Sequence, residues 1–180
     1  MEFQTLLESR RSVRSYDASK TVTREQIKEI VEAGILAPSW KNSQTARYYC
    51  VIDEAAKEKF AKECLPEFNI NSSKGAGAYV ITTFVANRSG FDREGNPDNE
   101  CGNGWGYYDL GLHNENVILK AKELGLDTLV MGIRDGEKIR EMLDIPETEI
   151  IVAFYYSIVA TDCQRTVSYT HLRAHETGRN

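Results

Sequence analysis

The chain lacks the features that would place it among membrane, secreted or nucleic-acid-binding proteins. No apolar run reaches about eighteen residues, so no membrane-spanning helix is predicted. The N-terminal segment is charged and amphipathic, unlike a secretion signal, and a cytoplasmic location is expected. The net charge is −5, and a chain without an overall positive field is not expected to bind nucleic acid.

Metal-binding and catalytic clusters are absent from the sequence as well. The four cysteines show neither a CxxC spacing nor a companion histidine pattern, so reduced thiols are expected and structural zinc is not. His171 and His175 have the i, i+4 spacing of a metal pair, but no carboxylate–histidine motif surrounds them, and no metal site is predicted. There is also no Ser-His-Asp, Cys-His or paired-carboxylate arrangement that would predict a catalytic side chain.

What is present is the pattern of an α+β protein. A hydrophobic share of 41% in 180 residues is enough for one core. Periodicity predicts helices over 2–9, 23–37, 54–64, 106–125 and 137–143, a short helix after Pro66, and strands over 47–53, 78–86, 127–132 and 149–160. A capping box of Thr23 and Gln26 precedes a predicted buried face of Ile27, Ile30, Val31 and Ile35. The domain is predicted over 1–165. Residues 166–180, which lack periodicity, are predicted to be an atypical tail that is either foreign to the domain or disordered.

Two polar segments are candidates for ligand binding. The segment SRRSVRS contains Arg10, Arg11, Ser12 and Arg14, and guanidinium groups bind phosphate through bidentate, charge-assisted hydrogen bonds. A solvated basic turn is the alternative. The turn APSWKNSQ places hydrogen-bonding groups around the flat ring of Trp40, which suits a planar ligand with polar edges. Its alternative is a capped turn with the ring in the core.

Together, and in the same order along the chain, these segments resemble the nitroreductase family of flavin-dependent oxidoreductases. The matching stretches are RRSVRSYDA, APSWKNSQ, Asn71 and Lys74 before AYVITTF, WGYYDLGLHNENVILKAKELGLDTLVMGI, EKIREMLDIPE and IIVAFYYSIVA. They extend over roughly residues 3–165. The resemblance implies a central, mostly antiparallel sheet flanked by helices, in a homodimer that holds one FMN at each of two sites between the subunits.

The resemblance also assigns residues to the cofactor. Arg10, Arg11, Ser12 and Arg14 match the motif that reaches the FMN phosphate and the ring edge, and Pro38, Ser39, Trp40 and Asn42 match the segment that the partner subunit supplies. Asn71 and Lys74 match positions at the polar edge of the ring, and Met131 and Gly132 match a loop whose backbone lies against it. No side chain is expected to be catalytic, because the flavin carries the chemistry and the protein binds, orients and tunes it.

The chain departs from the family pattern in several places. Thr45-Ala46 stands where many relatives have Pro-Trp, and His113 stands where a small residue is usual. Arg165 is followed by the tail rather than by a basic segment that completes the phosphate site, and Arg173 is not expected to replace that segment. His113 is expected to be a partly exposed structural histidine, and Cys101 a free surface thiol.

The implied function is that of an FMN-dependent NAD(P)H oxidoreductase with a ping-pong cycle. Nitroaromatics, quinones and related conjugated electrophiles are the expected acceptors, with the polar, Gly-rich loop over 87–104 as a substrate lid. Three alternatives stay open: reductive dehalogenation or ene reduction on the same scaffold, a flavin-binding or redox-sensing protein without efficient turnover, and a non-flavin interaction domain. The choice between NADH and NADPH is open, because there is no Rossmann fingerprint.

Overall fold

The computed structural model of the chain describes residues 1–17 and 19–158, with residues 155–158 described by their backbone alone. The predictions for Arg165, Arg173, the two tail histidines and the tail itself therefore lie outside the described residues. The helices are α1 (Phe3–Ser9), α2 (Arg24–Ile35), α3 (Glu54–Cys64), α4 (Glu67–Ser72), α5 (Gly104–Glu123) and α6 (Gly136–Met142). The strands are β1 (Ala46–Val51), β2 (Ala78–Val85), β3 (Asp127–Met131) and β4 (Glu149–Ile158), and a 3₁₀ turn covers Trp40–Asn42.

The four strands form one sheet in the order β1-β2-β4-β3, and every neighbouring pair is antiparallel. Its central strand β2 is buried along almost its whole length, as expected for a strand covered on both faces. Ala78 and Val80 pack with α2 and α5 on one face, while Tyr79 and Ile81 belong to the cluster on the other face. The predicted α+β class with a mostly antiparallel sheet and flanking helices is confirmed.

Helices α2 and α5 form the layer on the first face. Ile30 of α2 packs with Val117 and Ala121 of α5. The close approach depends on Gly34, because a Cβ there would lie only 2.9 Å from Val117 Cγ2. The second face carries Phe60 of α3 and Ile139 of α6, both fully buried. The sheet is therefore the middle layer of three, and the long helix α5 links one face of it to the loop before Gly104.

Most predicted elements are confirmed, and the differences lie at their ends. The capping box of Thr23 and Gln26 is present in both directions. The prediction that Ile35 is buried is wrong: 60% of it is exposed, because α2 ends there and Gly34 occupies the face against α5. Helix α5 begins at Gly104, two residues earlier than predicted, and ends near Gly125, whose φ of 75° suits the expected C-terminal cap.

The loop over 87–104, which the sequence predicts as a substrate lid, consists mainly of turns and bends. It is a series of turns held by an isolated bridge between Phe91 and Pro97, and Asp92 accepts hydrogen bonds from the backbone of Glu94 and Asn96. Among the helices of the described ranges, none has the combination of length and apolar character that crossing a membrane requires.

Candidate functional site

The segment over residues 10–14, called here the arginine segment, runs along the free edge of the sheet. Ser12 forms a parallel bridge with Thr128 of β3, and the backbone N–H of Val13 donates to the carbonyl of Thr128 over 3.2 Å. The ring of Tyr16 is buried in the main core, and its hydroxyl donates to the carbonyl of Val13. This pairing fixes the backbone while the side chains of Arg11, Ser12 and Arg14 remain exposed and Arg10 is half-buried.

A cavity of about 260 Å³ lies where the arginine segment meets the end of β3. It brings together three sequence-predicted residues, Arg14, Met131 and Gly132, although they are far apart in the chain. Helix α4 closes its third side, and Asn69 Nδ2 fixes that helix by donating to the carbonyl of Ile133 over 2.7 Å. The other lining residues are Phe68, Ser72, Leu129 and Val130.

The charge at this edge fits an anionic ligand. Within residues 1–17 and 19–158, the guanidinium groups of Arg10, Arg11 and Arg14 form no ion pair with a carboxylate. Guanidinium groups without an internal counter-charge suit a phosphate group, which they bind through charge-assisted, bidentate hydrogen bonds. Of the three, Arg14 lines the cavity. The residues present therefore fit a phosphate-bearing cofactor.

Asn71 and Lys74 are placed apart from Arg14. Both are exposed near the end of α4 and line a different cavity of about 440 Å³, together with Lys57 and Tyr79. The ammonium of Lys57 already has partners within the chain. It donates to the carbonyl of Ala76 and pairs with Glu54, both over 2.7 Å. Asn71 and Ser72 are neighbours in α4, yet they line different cavities, so the helix separates the two sites within one chain.

The predicted turn from Pro38 to Asn42 adopts an uncommon backbone. Lys41, Asn42 and Gln44 have φ values of 46°, 54° and 51°, in the left-handed region that residues with a Cβ seldom occupy. Ser39 stabilises the turn, since its Oγ accepts from the backbone N–H of Gln44 over 3.0 Å. Such backbone persists only where the surrounding structure holds it, and it is frequent at functional sites.

Trp40 is held by groups from the long loop and from α5. Its backbone N–H donates to Asp109 Oδ2 over 2.9 Å, and its indole Nε1 donates to Asp98 Oδ2 over 3.1 Å. The ammonium of Lys41 lies 2.8 Å from the same Asp98 oxygen, and the ring of Trp105 packs against Trp40 with centroids 4.2 Å apart. These five residues are called here the Trp40 clasp. Asp109 also accepts from the hydroxyl of Ser89, which joins the clasp to the start of the loop.

The sequence pattern does not predict the residues that support Trp40 in the clasp. Pro38, Ser39, Trp40 and Asn42 were predicted as ligand-binding residues, but nothing in the spacing pointed to Asp98, Asp109 or Trp105 as their supports. The only available signal was Asp109 itself, an acidic residue directly before Leu110 on the predicted buried side of a helix. A buried carboxylate needs hydrogen-bond donors, and the turn supplies one.

His113 is not the partly exposed histidine that the sequence suggested. Only 5% of it is exposed, and neither ring nitrogen has a hydrogen-bond partner among the described residues. Burial lowers its pKa below the usual 6.5, although the charge of Asp109 acts in the opposite direction. Cys101 is an exposed free thiol, as predicted.

The amino-acid sequence matches known proteins over most of its length. A family model described as the Nitroreductase family matches residues 7–157. MhqN of Bacillus subtilis (strain 168), provisionally named an NAD(P)H nitroreductase, is 24% identical over 193 residues, which covers 93% of this chain and 94% of MhqN. YdgI of the same strain, with the same provisional name, is 33% identical over 84 residues, or 47% of this chain and 39% of YdgI.

Solved structures share the fold. An enone reductase, CLA-ER, from a gut-bacterial fatty acid saturation metabolism superimposes with a TM-score of 0.79 and 19% identity, covering 96% of this chain and 94% of its own. An oxidoreductase described as containing FMN superimposes with a TM-score of 0.74 and 24% identity, covering 90% of this chain and 79% of its own. At sequence identities below 25%, this structural similarity shows a shared fold and nothing about activity or ligands.

Proposed function

The chain belongs to the nitroreductase family and is an oxidoreductase, and from that premise we propose that it uses FMN to pass two electrons from NADH or NADPH to a conjugated acceptor. The observation that carries the proposal is the cavity at the edge of β3. Arg14, Met131 and Gly132 line it together, next to guanidinium groups that have no carboxylate partner among the described residues.

The arginine segment would hold the phosphate of FMN. Arg10, Arg11 and Arg14 supply the charge, and the exposed hydroxyl of Ser12 supplies a neutral donor. The backbone of Met131 and Gly132 would lie against the ring, since a Cβ at Gly132 meets no atom within 4 Å and leaves that surface open. Asn71 and Lys74 are proposed for the polar edge of the ring.

The Pro38–Asn42 turn is proposed to serve the FMN of a partner subunit. In one chain it packs on the loop before α5 and shares no cavity with Arg14. A homodimer with the cofactor between subunits accounts for this separation, because Ser39, Trp40 and Asn42 then lie beside the neighbouring arginine segment.

When bound, FMN supplies the redox chemistry, in which the nicotinamide is oxidised and the acceptor is reduced by two electrons. The chain's own residues bind the cofactor, limit access to it and donate hydrogen bonds to its edges. We propose a ping-pong order in which donor and acceptor occupy one pocket in turn. Nitroaromatics and quinones are the first acceptor classes, and an enone is the next, because the enone reductase CLA-ER shares the fold.

The test is an absorbance titration of the purified protein with FMN, followed by anaerobic NADH and then NADPH. We expect a bound-flavin spectrum that bleaches with at least one of the two nucleotides and recovers when a nitroaromatic or a quinone is added. Sedimentation at the same FMN concentration tests for the dimer. A bound flavin that no nicotinamide reduces would indicate a flavin-binding protein without turnover, and no bound flavin at micromolar FMN would reject the proposal.

A further inference from the structure

A third cavity, larger than the two described above, lies between the Trp40 clasp and the first half of the long loop. Its volume is about 720 Å³, and none of the residues that line it lines the cavity at Arg14. Its residues are Trp40, Lys41, Ser43, Asn87, Arg88, Phe91, Asp92, Arg93, Glu94 and Gly95. We propose that this cavity binds the anionic group of a planar redox substrate, with Arg88 and Arg93 as the residues that select it.

The aromatic part of the site is rigid. Trp40 is fixed by Asp98, Asp109 and the ring of Trp105, so its face is held in place before any ligand arrives. Phe91 also lines the cavity, and its backbone forms a bridge with Pro97. Two aromatic side chains in the lining favour a flat ligand, and stacking on the Trp40 ring, which is already held, costs little ordering of the protein.

The charged side chains of the site differ in whether they already have a partner within the chain. Lys41 pairs with Asp98 and lies 5.7 Å from the centre of the Trp40 ring. The carboxylate of Asp92 accepts from the backbone of Glu94 and Asn96, which lowers its pKa and commits it to the loop. By contrast, Arg88 and Arg93 are exposed and form no ion pair within the described ranges.

Two uncommitted guanidinium groups beside an aromatic surface select a ligand that is both planar and negatively charged. Glu94 is the opposing group, since its carboxylate has no cationic partner among the described residues and repels an anion. The anionic group can be a carboxylate on the electron acceptor or a phosphate on the nicotinamide donor. This inference rests on the proposed function, because it names what one of the two redox substrates carries.

The experiment uses the FMN-loaded protein and three charge changes, Arg88→Gln, Arg93→Gln and Glu94→Gln, with Arg24→Gln on the exposed face of α2 as the matched control. The acceptors are 4-nitrobenzoate and the neutral 4-nitrobenzyl alcohol, and the donors are NADH and NADPH. For the anionic substrate we expect each arginine change to raise KM about two- to fivefold and Glu94→Gln to lower it by a similar factor, with kcat unchanged. Arg24→Gln and the neutral acceptor should show no change.

A KM effect confined to 4-nitrobenzoate identifies the acceptor as the source of the anion, and one confined to the donors identifies their phosphates. Both results support the proposal. Equal effects on the neutral acceptor, or no effect on any anionic substrate, overturn it.

A binding measurement separates this inference from the proposed function. The two tryptophans of the chain, Trp40 and Trp105, are both in the clasp, so intrinsic fluorescence reports on this cavity. Titration of the FMN-free protein with 4-nitrobenzoate should quench Trp fluorescence at a lower concentration than titration with 4-nitrobenzyl alcohol. Arg88→Gln and Arg93→Gln should remove that preference. Absent turnover with the neutral acceptor rejects the proposed function, whereas equal quenching by the two ligands rejects the anion site.

Discussion

The arginine segment and the Trp40 clasp are both polar, but they satisfy their polar groups in opposite ways. The backbone of the arginine segment is paired with β3 while its charged side chains have no carboxylate partner among the described residues. In the clasp, the indole, the ammonium and the turn backbone are all paired with Asp98 or Asp109. The first region therefore has charges left for the anion that we propose it binds, whereas the polar groups of the second are already paired within the chain.

This difference predicts different consequences of mutation. Removing a charge from the arginine segment should change ligand affinity and leave the free energy of unfolding nearly unchanged, because no ion pair is lost within the described residues and the Arg11 side chain has only an exposed hydrogen bond to its neighbour. Removing the buried support of the clasp, Asp109, should change the free energy of unfolding first, because the partly buried Trp40 backbone N–H would be left unpaired.

The largest effect is expected at Gly90, on the loop behind the clasp. Gly90 and Gly95 have nearly the same φ, 83° and 84°, so an alanine at either costs about 1–2 kcal/mol of backbone strain. At Gly90 the new Cβ would also lie 2.6 Å from Trp105 Cδ1 and 2.7 Å from the carbonyl of Gly102, whereas at Gly95 it meets nothing within 4 Å. Crowding should add about 1–3 kcal/mol for Gly90→Ala.

Denaturant unfolding of the two alanine variants measures the difference, and near-UV circular dichroism follows the Trp40–Trp105 contact. Gly95→Ala is the control for backbone strain. Equal unfolding free energies for the two variants would mean that Trp105 or the loop moves to make room for the new Cβ. The clasp would then not be rigid.

The next effect is expected at Arg14, on FMN affinity. Losing one charged contact to phosphate costs about 1.5–3 kcal/mol, so Arg14→Ala should weaken FMN binding about ten- to a hundredfold. Its unfolding free energy without FMN should equal that of the unaltered chain, because Arg14 is exposed and has no ion-pair partner in the described ranges. Flavin fluorescence titration measures the affinity, with Arg24→Ala as the control. Unchanged FMN affinity would remove Arg14 from the cofactor site.

The arginine segment is easier to recognise in the sequence than the clasp, and the reason is physical. Three arginines within five residues are a local signal, and the strand at 127–132 that they join is apolar enough to be recognised. The clasp depends on contacts between residues 58 and 69 positions apart, from Trp40 to Asp98 and to Asp109. No local pattern encodes which carboxylate accepts from which turn.

Helix α2 is a second case in which local spacing does not reveal a tertiary contact. Its spacing correctly placed Ile27 and Ile30 in the core. It could not show that α5 comes so close that only a glycine fits at position 34, so Ile35 was assigned to the buried face and in fact lies outside it. The positive φ values at Lys41, Asn42 and Gln44 were likewise unpredictable, because none of these positions is a glycine.

Within the clasp, the two carboxylates should differ in importance. Asp109 is only 3% exposed and accepts from both Trp40 and Ser89, so Asp109→Ala leaves two donors unpaired and should cost about 1–3 kcal/mol. Asp98 pairs with a lysine whose side chain is 61% exposed, and Asp98→Ala should cost about 0–1 kcal/mol. Urea unfolding followed by Trp fluorescence measures both variants. A larger loss for Asp98→Ala would show that the indole, and not the turn backbone, holds the clasp.

The last effect concerns the pH dependence of stability at His113, which lies one helical turn after Asp109. Unlike the polar groups of the clasp, its ring nitrogens are unpaired among the described residues. Burial lowers the folded-state pKa of His113 below 6.5. The neutral ring is therefore favoured in the folded chain. That contribution to stability is fully present above about pH 6.5 and is lost as the pH falls through 6.5 towards the folded-state pKa, because the unfolded chain takes up the proton first.

We expect the free energy of unfolding to fall between pH 7.5 and pH 5.5, with a His113 contribution of at most about 1.4 kcal/mol per pH unit. His113→Leu should remove that part of the slope, and comparison with the unaltered chain cancels the carboxylates that titrate in both. If the charge of Asp109 instead dominated, the folded-state pKa would be raised, the stability contributed by His113 would increase on acidification, and the leucine variant would show the steeper loss. The sign of the difference between the two slopes therefore decides whether burial or the neighbouring carboxylate controls this histidine.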